Sequence, residues 1–200
     1  TSHWLSLNTF PIIYVNAKEI KIYRNRFLQN INKINQLLDK KTDYTKDEII
    51  NALQSSTNFY LHYQGKDDLD LQTQYAQLIE RLTKKIYPQF FKKRNKNISS
   101  KNIKVGFISS YFKKHSISKT HKNWIVKLNK SSFETFVYYV GNEIDETTKS
   151  IKKHSNYFYN HTNIDSLINQ ISKDNLDILI FMDIGMNPKI QILASLRLAS

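Results

Sequence analysis

The chain has 200 residues, 30 Lys and Arg against 17 Asp and Glu, a formal charge of +13, 40% hydrophobic residues and no cysteine. That apolar share can build the core of one large or two small domains, and the lack of cysteine excludes disulfides and thiolate chemistry, which suits a reducing, cytoplasmic compartment. The chain opens at Thr1 without a basic-then-apolar leader and holds no apolar run long enough to span a bilayer, so the expectation is a soluble excerpt with no membrane partner.

The positive charge invites a nucleic-acid reading, but the basic residues are nearly all Lys and are scattered as pairs such as Lys40-Lys41, Lys84-Lys85 and Lys152-Lys153. The densest run, from Lys92 to Lys96, falls in a stretch that reads as a linker. Dispersed lysines describe a solvated surface, and no specific nucleic acid is expected as a partner.

After an irregular start over residues 1–15, Asn16 and Glu19 stand at capping-box spacing ahead of Ile20, Tyr23, Phe27, Ile31, Ile34 and Leu38. Steps of three and four place these six on one face of a helix. Thr45 and Glu48 repeat the capping spacing before Ile49, Ile50 and Leu53, so a short second helix follows. Residues 55–63 fit neither period. Gly65 to Asp68 punctuate the chain, and Leu71, Tyr75, Leu78, Leu82 and Ile86 then mark a third helix that Pro88 halts. Between residues 88 and 102 periodicity is lost, and a boundary is placed there, with a helical connector over 1–95 and a second domain over 96–200.

Beyond Asn102 strand and helix alternate. Residues 103–109, 133–140 and 157–159 read as strands, and 117–128, 146–154 and 164–171 as helices. The apolar run from Leu176 to Met182 suits a strand buried on both faces. Asn187-Pro188 supplies an N-cap and a first-turn proline for a last helix through Leu198. The fold class is therefore α/β: a helical N-terminal segment followed by a Rossmann-like parallel-sheet domain.

In such sheets the loops leaving the carboxyl ends of strands line the ligand crevice. Ser109, Ser110, Tyr111 and His115 crowd the first exit, and Asp183, Gly185 and Met186 the second. His115 is read either as a functional imidazole or as a surface histidine, and Asp183 either as a ligand-binding or as a turn-capping carboxylate. Gly185 would permit close backbone approach. The turn after Ile108 lacks the glycines of a dinucleotide fingerprint or a P-loop, which rejects NAD, FAD and P-loop chemistry. Asp68-Leu69-Asp70 reads as carboxylates opening a helix and not as a metal grip, and the six histidines lack metal-ligand spacing, so no metal is expected. His121 falls inside a helix and reads as structural.

The runs Val105-Gly-Phe-Ile-Ser-Ser-Tyr-Phe with His115-Ser116, Phe133-Glu-Thr-Phe-Val-Tyr-Tyr, Asp183-Ile-Gly-Met-Asn-Pro and Leu193-Ala-Ser-Leu-Arg-Leu-Ala resemble the bacterial relatives of O-linked N-acetylglucosamine transferase, the SPINDLY-like proteins with tetratricopeptide repeats. Pro11-Ile-Ile-Tyr, Tyr23-Arg-Asn-Arg-Phe and Asn58-Phe-Tyr-Leu-His-Tyr-Gln-Gly-Lys-Asp-Asp resemble the segment that joins repeats to catalytic region in that family. The resemblance implies the first half of a GT-B architecture and an inverting, metal-independent transfer of a sugar from a nucleotide donor, such as UDP-N-acetylglucosamine, to a protein Ser or Thr. It makes His115 the candidate catalytic residue and Ser109, Ser110, Tyr111, Asp183, Gly185 and Met186 candidate substrate-binding residues. Implied partners are the nucleotide-sugar, bound mainly by a second Rossmann-like half absent here, an acceptor protein, and the absent repeats. Tyr111 stands where the family commonly has Asp, and a chain holding one half is expected to be inactive alone. The alternative is a non-catalytic interaction or anion-binding module left from such an enzyme.

Overall fold

The computed structural model describes residues 2–41, 43–92 and 102–199. The chain forms two compact units: residues 1–89 with 185–196, and residues 90–184 with the segment from Arg197 onward. The expected boundary at 95/96 and most of the basic run after Lys92 lie outside the described residues.

The first unit is helical. It comprises α1 (Ser2–Asn8), α2 (Ala17–Lys40), α3 (Lys46–Ser55), α4 (Leu69–Ile86) and, from much later in the chain, α8 (Pro188–Ala194). In α2 the stripe buries Phe27, Ile31, Ile34 and Leu38, while Ile20 and Tyr23 in the first two turns stay half-buried. Asn16 caps α2 by accepting from the Lys18 and Glu19 amides, but Glu19 reaches back to the Val15 amide at 2.8 Å rather than to that of the cap residue. The Thr45–Glu48 box closes reciprocally, with Glu48 accepting from the Thr45 amide at 2.8 Å and Thr45 Oγ1 accepting from the Glu48 amide at 3.2 Å. The two regions that fitted no period are α1 and a 3₁₀ turn over Phe59–Gln64, which Gly65 ends at a φ of 61°.

Tyr75 stands at the centre of this unit. Its ring meets Trp4 at 5.6 Å and Phe27 at 5.5 Å, and its hydroxyl accepts from Gln191 Nε2 at 2.9 Å. Burial pushes its phenol pKa up, so the group serves as a neutral, hydrogen-bonded core residue. Gln191 belongs to α8, whose Ile190, Ile192 and Leu193 are also buried, and Ser195 just beyond it donates to Thr83 Oγ1 at 3.0 Å. The last helix therefore completes the helical unit, and it ends at Ala194, short of the expected Leu198.

The second unit is a four-stranded parallel sheet, β1 (Ile103–Ser109), β2 (Phe133–Tyr139), β3 (Tyr157–Asn160) and β4 (Ile178–Phe181), in the order β3-β2-β1-β4. Its helices are α5 (Ser116–Val126), α6 (Glu146–His154) and α7 (Ile164–Asp174). The last five residues of β1 and of β2 are continuously buried, as central strands covered on both faces must be. Val105, Phe107, Val137 and Tyr139 pack with Ile125 of α5 and Ile151 of α6 on one face. On the other face, Tyr138 donates to Asp174 of α7 at 2.6 Å. The strand expected to be buried on both faces, β4, is instead an edge strand with Ile178 exposed, because strand order decides burial and an apolar run does not reveal order. An isolated parallel bridge joins Leu176, just before β4, to Ala199. No helix among the described residues is long and apolar enough to cross a membrane.

Candidate functional site

Strand order fixes where a crevice can open. From β1 the chain proceeds to β2 and β3 on one side, while β4 lies on the other, so the carboxyl ends of β1 and β4 flank the topological switch point. In register, Ile108 of β1 lies beside Phe181 of β4, so Ser109-Ser110 and Met182-Asp183 leave the sheet side by side. Asp183 Oδ2 accepts from the Ser110 amide at 3.3 Å and from the Ser110 hydroxyl. Asp183 is only 3% exposed, Ser110 8% and Ser109 0%, so this link is made away from water. Burial raises the pKa of the Asp183 carboxyl, opposed by the hydrogen bonds that its charged form receives from Ser110 and Ser109. Its Oδ1 has no hydrogen-bond partner among the described residues.

The loop that follows is held at nearly every residue. The Tyr111 amide donates to Ser109 Oγ at 2.9 Å, and the Tyr111 carbonyl accepts from Ser118 Oγ at 2.6 Å. Phe112 is buried in the sheet core, and its carbonyl accepts from Thr148 Oγ1 at 2.6 Å. Lys113 pairs with Glu143, which pushes the Lys113 pKa up. The Lys114 amide donates to Asp145, the residue that also caps α6 through the Thr148 amide at 2.9 Å. These bonds come from α5, from α6 and from the segment between β2 and α6, so the loop is a fixed platform.

At its end His115 is the N-cap of α5. Its Nδ1 accepts from the Ile117 amide at 3.2 Å, and its ring stacks on Tyr111 with centroids 4.1 Å apart and planes at 21°. Beside it lies a hollow of about 310 Å³ lined by His115, Ser116, Lys114, Lys119, Lys122 and Thr147 among others. The arrangement offers hydroxyls, an imidazole and ammonium groups to a polar, oxygen-rich ligand. Among the described residues no group of three or more His, Asp or Glu side chains is placed to hold a metal ion. Asp68 of the earlier Asp-x-Asp is instead bound by Arg24 and lies 3.3 Å from His62 Nδ1, while Asp67 Oδ1 accepts from the Leu69 amide at 2.9 Å.

The structure thus brings Ser109, Ser110, Tyr111, His115 and Asp183 to one rim of the sheet. Gly185 and Met186 belong to the segment grouped with the helical unit. Gly185 has a φ of 88°, a conformation that favours glycine, and a Cβ built there would meet nothing within 4 Å. His121 accords with a structural part, its Nδ1 lying 3.0 Å from the Ile117 carbonyl and its ring edge-on to Trp124. Asp145, Thr148 and Ser118, which hold the loop, escape the sequence reading. The spacing of Asp145 and Thr148 marks a helix start, but that the same side chains reach back to residues 112 and 114 is a tertiary fact.

Neither a protein-family model nor a curated protein matches the chain in sequence. Its fold is similar to a solved structure of an O-GlcNAc transferase mutant from Thermobaculum terrenum, with a TM-score of 0.59 and 14% identity over 92% of this chain. The chain spans 36% of the length of that protein. The likeness is one of fold: helices joined to a four-stranded parallel sheet of the kind that forms one Rossmann-like half of a GT-B glycosyltransferase.

Proposed function

We propose that this chain supplies the first half of a protein O-glycosyltransferase, which moves an N-acetylglucosamine-like sugar from a nucleotide donor to a Ser or Thr hydroxyl with inversion and without a metal. The observation that carries the reading is the rim at the switch point, where a fixed loop presents His115 beside the Ser110–Asp183 link in a fold like that of an O-GlcNAc transferase. In this reading His115, with Tyr111, faces the reacting groups, the buried Ser109 and Ser110 hold the loop and Asp183 in place beneath them, and a second Rossmann-like half holds most of the nucleotide. Rate in such a system comes from orienting donor and acceptor across a cleft, so one wall alone is expected to be inactive.

The test is a transfer assay on the complete reading frame that encodes this chain, with UDP-N-acetylglucosamine and Ser/Thr peptides, followed by intact mass. His115→Ala is expected to reduce turnover roughly a hundredfold or more while lowering the Tm by only about 2–4 °C, since it removes the α5 cap but no packing from the sheet core. Unchanged turnover would remove His115 from the mechanism. Absence of transfer with any nucleotide-sugar would favour a non-catalytic interaction module.

A further inference from the structure

The hydrogen bonds of His115 decide which ring nitrogen carries its proton. Nδ1 lies 3.2 Å from the Ile117 amide, which can only donate. A nitrogen that accepts from an N–H is unprotonated, so the neutral ring carries its proton on Nε2. The Ser116 hydroxyl, 3.5 Å away, also approaches at Nδ1. Protonating Nδ1 would set two N–H groups against each other and remove the bond that caps α5.

Tyr111 holds the ring in this pose. Its backbone is anchored on both sides, by Ser109 Oγ at the amide and by Ser118 Oγ at the carbonyl, so its stacked ring is a fixed wall against one face of the imidazole. A ring clamped by a stack on its face and an amide at Nδ1 has little freedom to turn over and exchange its two nitrogens.

We infer that in the proposed transfer His115 acts through Nε2–H as a hydrogen-bond donor to a substrate oxygen, not as the base that takes the proton of the acceptor hydroxyl, and that Tyr111 is the residue that positions it. A nitrogen that already carries its proton has no lone pair in the ring plane to receive another. The substrate in this statement rests on the transferase reading, whereas the tautomer does not.

The experiment reads the tautomer without any substrate. The whole chain is labelled with ¹⁵N-histidine, His115 is assigned by its loss in His115→Gln, and two-bond ¹H–¹⁵N correlations are recorded above the histidine titration range. Nδ1 is expected to resonate as an unprotonated, pyridine-type nitrogen and Nε2 as a protonated, pyrrole-type one. Tyr111→Phe keeps the stack and is expected to keep the pattern. In Tyr111→Ala, and in Tyr111→Leu as a second variant with a bulkier side chain, the two shifts are expected to converge as the ring leaves the Ile117 amide and both tautomers populate. A proton found on Nδ1 in the unaltered chain would overturn the donor assignment, and an unchanged pattern in both the Ala and Leu variants would overturn the positioning role of Tyr111. If the transferase reading fails in its own assay, the tautomer pattern is unaffected, so the two failures are distinguishable.

Discussion

Asp183 and Asp145 are two carboxylates of the same site whose environments act in opposite directions. Burial raises the pKa of Asp183, so the folded chain holds that proton more tightly than the unfolded chain does. The stability this contributes is fully present below the ordinary carboxylate range and is lost as pH rises through the raised folded value. For Asp145 the Thr148 amide comes first among the causes that lower the pKa, and its contribution is present above the ordinary range and lost as pH falls through the lowered value. Thermal melts across pH can separate the two. Asp183→Asn keeps an acceptor for Ser110 without a buried charge, and it is expected to flatten the decline on the alkaline side and to hold or raise Tm at neutral pH by ~2–4 °C. A decline that persists in this variant would remove Asp183 as its source. Asp145→Ala removes a cap and the acceptor for the Lys114 amide, at a cost of about 1 kcal/mol at neutral pH that shrinks in acid. The placement of His115 and Asp183 beyond the carboxyl ends of β1 and β4 is legible in sequence because each follows an apolar run that reads as a strand. Asp145 is not, because its second partner lies 31 residues back and no local spacing reports it.

Among the elements, those that announce themselves carry local chemistry. Asn16, Thr45 and the Asn187-Pro188 pair each start a helix where their side chains say they should. The turn of Phe59–Gln64 carries no such signal, since Phe59, Tyr60 and Tyr63 pack edge to face on one another in a short 3₁₀ turn that neither helical nor strand periodicity detects. Strand burial is misread for a related reason. Whether β1 or β4 is central depends on which strands flank it, and that is decided by chain segments far away. Gly106 records the centrality of β1: a Cβ there would lie 2.4 Å from Leu176 Cδ1, 2.9 Å from Leu179 Cδ1 and 3.2 Å from Tyr138. Leu176 and Tyr138 are fully packed, so Gly106→Ala is expected to cost about 1–3 kcal/mol in urea unfolding through overpacking. A cost near zero would mean that this face of the sheet can yield.

Across the whole molecule, the charge of +13 should produce attraction to polyanions without recognition. Anisotropy titrations with two unrelated DNA duplexes are expected to give equal, weak affinities that fall together as salt rises, since counterion release is indifferent to sequence. A tenfold preference for one duplex at physiological salt would contradict the dispersed-lysine reading. The order of elements, helices first and strands alternating with helices after Asn102, is legible from the change of periodicity, but the return of residues 185–196 to the first unit is not, because α8 follows β4 as any crossover helix would. That return has a consequence for the order of events during synthesis. Residues 1–89 leave the ribosome before the sheet unit, yet Ile190, Ile192, Leu193 and the Gln191 partner of Tyr75 are translated about a hundred residues after Gln89. At ordinary elongation rates the nascent helices wait roughly 5–20 s with that seat empty. For that interval residues 1–89 stand with their apolar seat for α8 uncovered, and it is there that a chaperone would find them.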